Sequence, residues 1–253
     1  MRKDTSDERS GIARIADVLA AFDTKHPELT LAEITRRARL AHATARRTVK
    51  ELCAAALLTQ TSNETYVVGI RLWEIGSLAP SSLPLRQVAM PYMQVLHDSL
   101  GEHVQLVVRD GKEGLIVERL SGVRSLKLVS QPGGRLPLHT SAAGKVLLAH
   151  APTGVIDEVL SEPLLGLTPK SITDPKALMA ELGSVRSHGY ATVHGEMPPA
   201  EANSVAAGIF GREGDLLAAI SVVVSASRGS LQSLVPPVMS AARAITTTLR
   251  SGP

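Results

Sequence analysis

The sequence predicts an α+β chain of two domains, a small helical one closed by a β-hairpin and a larger one with a mainly antiparallel sheet. Three observations carry this. Apolar residues recur at helical spacing through the early part of the chain and give way to LLTQTSNETYVVG, two short strand runs about a polar turn. Beyond Pro80-Ser81-Ser82, strand runs are mixed with helices that lie mostly toward the ends of the segment, a pattern suited to an antiparallel sheet flanked by helices. A chain of 253 residues with 44% apolar content has room for a sizeable core in such an arrangement.

Composition excludes several classes. Cys53 is the one cysteine, so neither a disulfide framework nor a multi-cysteine zinc site is expected, and no cofactor or metal is implied. The start, MRKDTSDERSGIARIADVLA, carries acids among its bases and lacks a signal peptide's apolar run. No stretch approaches the roughly 18 uninterrupted apolar residues of a membrane span. The longest apolar run, Leu216 to Val224, is broken by Ser221 and reads as a buried strand. The expected setting is cytoplasmic, with no membrane partner.

In the first domain, Ile12, Ile15, Ala16, Leu19 and Ala20 predict a helix from about Ser10 to Phe22, interrupted by His26-Pro27. Thr30 with Glu33 three residues on reads as a capping box opening a short helix through Ala38. Arg39-Leu40-Ala41 is a brief connection to a third helix from about His42 to Ala55, with Ala45, Val49, Leu52 and Cys53 facing inward. The hairpin follows, turning at Ser62-Asn63. Two helices joined tightly and then a hairpin make a winged helix-turn-helix.

Charge agrees with that shape. The net charge is only +3, yet from Thr35 to Lys50 the chain holds Arg36, Arg37, Arg39, Arg46, Arg47 and Lys50 with no acid. A run of bases is ordinarily a solvated helical face; its place on the second helix of this motif favours nucleic acid instead. His42, Thr44, Arg46 and Arg47 occupy the end that would approach base edges, Lys50 one turn on suits backbone phosphate, and Arg36 precedes them on the shorter helix. The expected partner is double-stranded operator DNA.

In the second domain, Leu83 to Leu100 predicts an amphipathic helix. HVQLVVR, GLIVERL and SLKLVS are β-rich, with a turn at Asp110-Gly111. Helical patterns at 141–150, 153–160 and 175–188 precede strands near 190–193, 205–210 and 216–224, and a final helix is expected from about Leu231 to Leu249. The domain boundaries follow: 1–69 for the winged unit, 70–82 for a linker helix and linker, 83–253 for the larger domain.

The stretch GGRLPLHTSAAGKVLLAH, from Gly133 to His150, carries polar groups whose chemistry is narrowed by elimination, with a Ser-His-acid triad assembled from distant residues left open. A phosphate-binding G-x-x-x-x-G-K-[ST] loop fails, because His139 stands where its first glycine belongs and Val146 follows Lys145. Ser141 and Lys145 are four apart, whereas S-x-x-K requires three, and no G-x-S-x-G elbow is present. A pocket remains. Thr140 or Ser141 is a good N-cap, and Ala142, Ala143 and Gly144 would form a first helical turn whose N–H groups can meet a small anion. Small residues packed against a strand are the plainer reading of the same pattern. Lys145 is expected to be solvated or paired.

The order of these elements, with YVVG, RLWEIG, LPLHTSAAGKVLLA, HGYATVHGE and SVAAGIFGREGDLLAAISV, resembles the isocitrate lyase regulator (IclR) family of bacterial transcription factors along nearly the whole chain. The resemblance implies a GAF-like effector-binding domain with its pocket at Leu126, Leu136, Ala142, Ala143, Val193, Ser204, Ser221 and Val223. It also implies dimers formed through the N-terminal region and tetramers through the effector domains. Val193 stands where the family often has an acidic or polar residue, Ser204 where cysteine is frequent, and Gly208 in place of a usual proline. Aligning Glu196 to Ser204 requires one extra residue.

The expected function is a ligand-responsive regulator, acting as a repressor, that senses a small organic acid with an apolar or aromatic part. The walls at Leu126, Leu136, Val193 and Val223 favour an apolar body. Arg109, Glu118 or Arg119 turning inward would make the pocket larger and wetter. Two other classes are distinguishable: an enzyme acting through 133–150, by turnover, and a ligand-free DNA-binding module, by the lack of any ligand-induced thermal shift.

Overall fold

The computed structural model describes residues 10–23, 25–78, 83–122 and 131–251. The chain falls into two compact units, Met1–Pro80 and Ser81–Pro253.

In the first unit, α1 (Gly11–Leu19) starts at Ser10, whose hydroxyl accepts the Ala13 N–H at 3.1 Å. Strand β1 (Glu28–Thr30) leads into α2 (Leu31–Arg37) through the expected capping box: Glu33 N–H donates to Thr30 Oγ1 at 3.3 Å, and Thr30 N–H to Glu33 Oε2 at 2.8 Å. The helix closes by a paired turn, Arg39 N–H to the Arg36 carbonyl and Leu40 N–H to the Thr35 carbonyl, with Arg39 left-handed at φ 53°. Helix α3 (His42–Ala54) buries Ala45, Val49 and Leu52 as expected. Thr48 is buried too, while Cys53, expected inward, is half-buried. These side chains pack against Val18, Leu29, Ile34 and Leu58.

The same closing turn recurs after α3: Ala56 N–H donates to the Cys53 carbonyl and Leu57 N–H to the Leu52 carbonyl, with Ala56 at φ 58°. A left-handed alanine costs about 1–2 kcal/mol, against about 0.5–1 kcal/mol of extra unfolded-state entropy for glycine. Ala56→Gly is therefore expected to stabilise this unit by about 0.5 kcal/mol, read as a higher urea midpoint; a lower midpoint contradicts the argument.

The hairpin pairs β2 (Leu58–Gln60) with β3 (Thr65–Val68). The structure adds β1 on the other side of β3, giving the order β1-β3-β2, a strand too short to leave a sequence pattern. Gly69 ends β3 and begins α4 (Ile70–Gly76); residues 79–82 of the expected linker lie outside the described residues.

The second unit is built on a six-stranded sheet in which every neighbouring pair is antiparallel, in the order β6-β5-β4-β9-β8-β7. Its strands are β4 (His103–Asp110), β5 (Glu113–Leu120), β6 (Arg135–Pro137), β7 (Tyr190–His194), β8 (Ala202–Phe210) and β9 (Leu216–Ser225). The expected strand in SLKLVS lies outside the described residues, and β6, only three residues long, is an addition to the sequence expectation. One face is covered by α5 (Leu83–Leu100) and α9 (Val235–Ser251), over Val104, Leu106, Val205, Ile220 and Val222. The last helix begins at Val235 rather than Leu231: Leu231–Leu234 is a 3-10 turn, and Pro236 and Pro237, which lack N–H groups, fit the first α-turn. The other face carries α6 (Ala142–Ala149), α7 (Thr153–Leu160) and α8 (Pro175–His188), over Val107, Ile116, Ala191, Val193 and Ala206. One irregularity matters for the site. Leu106 pairs with Glu118 but Val107 with Ile116, so Val117 is an extra residue that bulges β5.

Candidate functional site

Two regions gather the residues singled out above, one in each unit. In the first, α3 turns its apolar residues to the core and leaves His42, Arg46, Arg47 and Lys50 exposed, with Thr44 half-buried. His42, Arg46 and Lys50 succeed one another every four residues, so they share one face, with Arg47 beside it. Arg36 is exposed on α2. Among the described residues none of these bases is in an ion pair. Arg37 differs: it donates to the Ala21 carbonyl at 2.6 Å and pairs with Asp23, whose carboxyl is held at about 2, chiefly by its hydrogen bond from His26. Ala41 offers α3 no capping side chain, so the helix start has no acceptor of that kind. The result is a convex, cationic helix end suited to phosphates and base edges.

In the second unit the register does the assembling, because residues directly opposite in an antiparallel pair point to the same face. Val193 pairs with Ser204, Ser204 with Val223, and Val223 with His103, forming one rung across four strands. The next rung runs Ala191, Ala206, Ser221, Gln105 and Arg119. Both lie on the face that carries α6, since Ala191, Val193 and Ala206 belong to the core beneath that helix. The structure thus brings Val193, Ser204, Ser221 and Val223 together. Leu136 lies on β6 at the opposite edge of the sheet, packed where Gly114 leaves room for its side chain, within the same buried cluster as Ala142, Ala143 and Val193. Leu126 lies outside the described residues.

Helix α6 packs across this face against β4, β5, β7, β8 and β9. Ser141 is its N-cap, accepting the Gly144 N–H at 3.0 Å. The Lys145 N–H goes to the Ser141 carbonyl, which leaves Ala142 and Ala143, both buried, as the first-turn N–H donors. Thr140 beside them is fully buried, and among the described residues its Oγ1 has no hydrogen-bond partner.

Lys145 is paired, as one of the two expectations had it, and far more deeply than solvation would allow. It is 0% exposed, with Nζ 2.6 Å from Glu196 Oε1 and 3.6 Å from Glu181 Oε1. Glu196 follows β7, and the backbone around it is strapped by side chains from 161–174: Thr168 Oγ1 donates to the Gly195 carbonyl and Ser171 Oγ to the Glu196 carbonyl, each at 2.6 Å. His139 joins the same segment through the Leu165 carbonyl at 3.0 Å.

Sequence reasoning missed His103 and Gln105, both buried, and left Arg119 open. The signal is present: in HVQLVVR the polar residues at 103 and 105 alternate with Val104 and Leu106, so both point to one face. Glu118 goes to the other face, where Arg86 of α5 donates to it at 2.5 Å. Arg109 shares the α6 face but bends back at the hairpin tip to the Gly111 carbonyl. Among the described residues no group of His, Cys, Asp and Glu could hold a metal, and no helix is long and apolar enough to cross a membrane.

Comparison with known proteins bears on both regions. The IclR helix-turn-helix domain matches residues 11–62, and the bacterial transcriptional regulator IclR C-terminal domain matches 78–247. The Pca regulon regulatory protein of Pseudomonas putida is 30% identical over 241 residues, 93% of this chain and 82% of that protein. The regulator KipR of Bacillus subtilis is 29% identical over 197 residues, 78% of each. Among solved structures, an IclR homolog from Microbacterium hydrocarbonoxydans, complexed with 4-hydroxybenzoate, is 36% identical with a TM-score of 0.91, covering 96% of this chain and 100% of that one. These relatives are named as regulators rather than enzymes, and both domain matches fall on the units that carry the two sites. The chain belongs to the IclR family of bacterial transcriptional regulators, with a DNA-binding helix-turn-helix domain followed by that family's C-terminal domain.

Proposed function

We propose that this regulator binds a near-palindromic operator as a dimer or tetramer through α3, senses a small organic acid with an aromatic or otherwise apolar body, and acts as a repressor. Residues 1–69 serve as the DNA-binding domain, 70–82 as linker, and 83–253 as the effector-binding domain. The observation that carries the sensing role is the pair of rungs beneath α6, which puts Val193, Ser204, Ser221 and Val223 side by side under a helix start with an orphan hydroxyl. The 4-hydroxybenzoate bound to the Microbacterium homolog supports an aromatic acid as the class. Oligomerisation is supported by the small number of base pairs one such module reads; two-fold assembly doubles them.

Operator binding tests the first half. Arg46→Ala and Arg47→Ala are each expected to weaken it by about 1–3 kcal/mol, and Lys50→Ala to weaken all sequences alike while lowering the salt slope by about one. Wild-type binding by all three variants removes α3 from the interface. Calorimetry tests the second half: of two acids differing in apolar bulk, the bulkier binds more tightly, and Val193→Asp reverses the ranking. Effector and operator must alter each other's affinity by the same factor. An unchanged ranking in Val193→Asp refutes the apolar wall.

A further inference from the structure

We propose that the outer face of α5 and α9 is a two-fold interface between copies of this chain. This rests on the oligomeric reading above and gives the assembly a surface in the second unit. The two helices lie side by side on the face of the sheet opposite α6. They run antiparallel. The hydroxyls of Tyr92 on α5 and Thr248 on α9 are hydrogen-bonded at 2.6 Å, while the far end of α5 is reached by Arg228, shortly before α9 begins, at the Leu100 carbonyl.

Three features set this face apart from a solvated one. An outward helix face is ordinarily covered with charge, and the core of an interface is depleted of it. Among the described exposed residues of both helices only Asp98, Arg243 and Arg250 are charged, and Arg250 donates to the Gly211 carbonyl at 2.8 Å. Val95 stands in the outward turn of α5, 69% exposed. Beside it runs a groove of about 410 Å³ whose lining includes Ser99, Ser240, Ala241 and Ala244, side chains small enough for another helix to lie close.

Charge selects a second copy as the occupant. Among the described residues neither Asp98 nor Arg243 is in an ion pair. A two-fold axis parallel to the helices sets α5 of each copy against α9 of the other at the same height. The Tyr92–Thr248 bond marks that height on both helices. At about 1.5 Å per residue, Asp98 lies about 9 Å along α5 from the bond and Arg243 about 7.5 Å back along α9. The acid of one copy therefore meets the base of the other, twice. Val95, about 4.5 Å from the bond, enters the facing groove near Ala244, about 6 Å from it. An axis across the helices instead sets α5 on α5 and α9 on α9, which leaves the acid and the base unpaired. Helices of 18 and 17 residues are roughly 25 Å long and together about 20 Å wide, on the order of 500 Å² per copy. Two such faces approach the ~1,000 Å² total that a specific interface needs.

Sedimentation equilibrium of the full-length protein tests this. Wild type is expected to associate, and Val95→Asp to halve its assembly, from tetramer to dimer or from dimer to monomer. Asp98→Arg and Arg243→Asp are each expected to weaken the association at least tenfold, and the two together to restore it to within threefold of wild type. All three positions are exposed, so the fold tolerates the changes. Leu165→Asp, at a leucine 64% exposed on another part of the unit, leaves the association unchanged. An unchanged mass in Val95→Asp, no rescue in the double variant, or a loss in Leu165→Asp overturns the surface and leaves the oligomeric reading standing. A monomeric wild type overturns both.

Discussion

Lys145→Met is expected to destabilise the second unit by about 3–5 kcal/mol, the range for removing one partner of a buried ion pair. The lysine is 0% exposed and Glu196 only 8%, so the carboxylate left behind has little water to turn to. Among the described residues its Oε2 has no hydrogen-bond partner, and without Lys145 its Oε1 loses the 2.6 Å bond as well. Adding Glu196→Leu is expected to recover most of the loss, because an apolar pair of similar volume often matches a buried ion pair. Urea unfolding of the four proteins of this cycle measures it. A single-variant loss under about 1 kcal/mol shows that water reaches the pair.

Gly69→Ala is the second large effect, and it falls on the DNA-binding unit. An added Cβ lands well inside contact with the Ala56 carbonyl oxygen and 2.9 Å from the Leu57 carbonyl carbon. Both atoms are backbone of the turn that closes α3, and the Gly69 N–H already donates to the Leu57 carbonyl at 2.9 Å. Neither strand nor turn can yield alone, so the substitution is expected at the upper end of the roughly 1–3 kcal/mol typical of overpacking. Operator affinity falls because the turn anchors the end of α3, whereas effector affinity stays at the wild-type value. Fluorescence anisotropy and calorimetry on one preparation separate the two. Wild-type operator binding with an unshifted unfolding midpoint shows that the turn gives way freely.

Local chemistry is what the sequence records faithfully. The Thr30–Glu33 capping box, the exposed bases of α3 and the Ser141 cap can each be read from a few neighbouring residues. Features that depend on distant residues are hidden. Strands β1 and β6 are three residues each, too short for a period, and exist because β3 and β5 offer them a free edge. Lys145 reads as solvated or paired with no partner to name, since Glu196, 51 residues on, leaves no local trace. Its neighbours in AAGKVLLA, apolar on every side, are the one hint of burial. The faces of Glu118 and Arg119 cannot be assigned from alternation, because the bulge at Val117 reverses it along β5.

That extra residue has a chemical consequence. In an unbroken strand, residues 116 and 118 would share a side, and Glu118 would look toward α6 while Arg119 met Arg86 of α5. With Val117 inserted, Ile116 and Arg119 share the α6 side and Glu118 neutralises Arg86. Whether a cation or an anion faces α6 here is therefore set by the bulge in the backbone and not by the side chains, which are the same either way. A relative that dropped Val117 altogether would keep its arginine toward α6. One that flattened the bulge at constant length would present the glutamate there instead and turn the arginine toward Arg86.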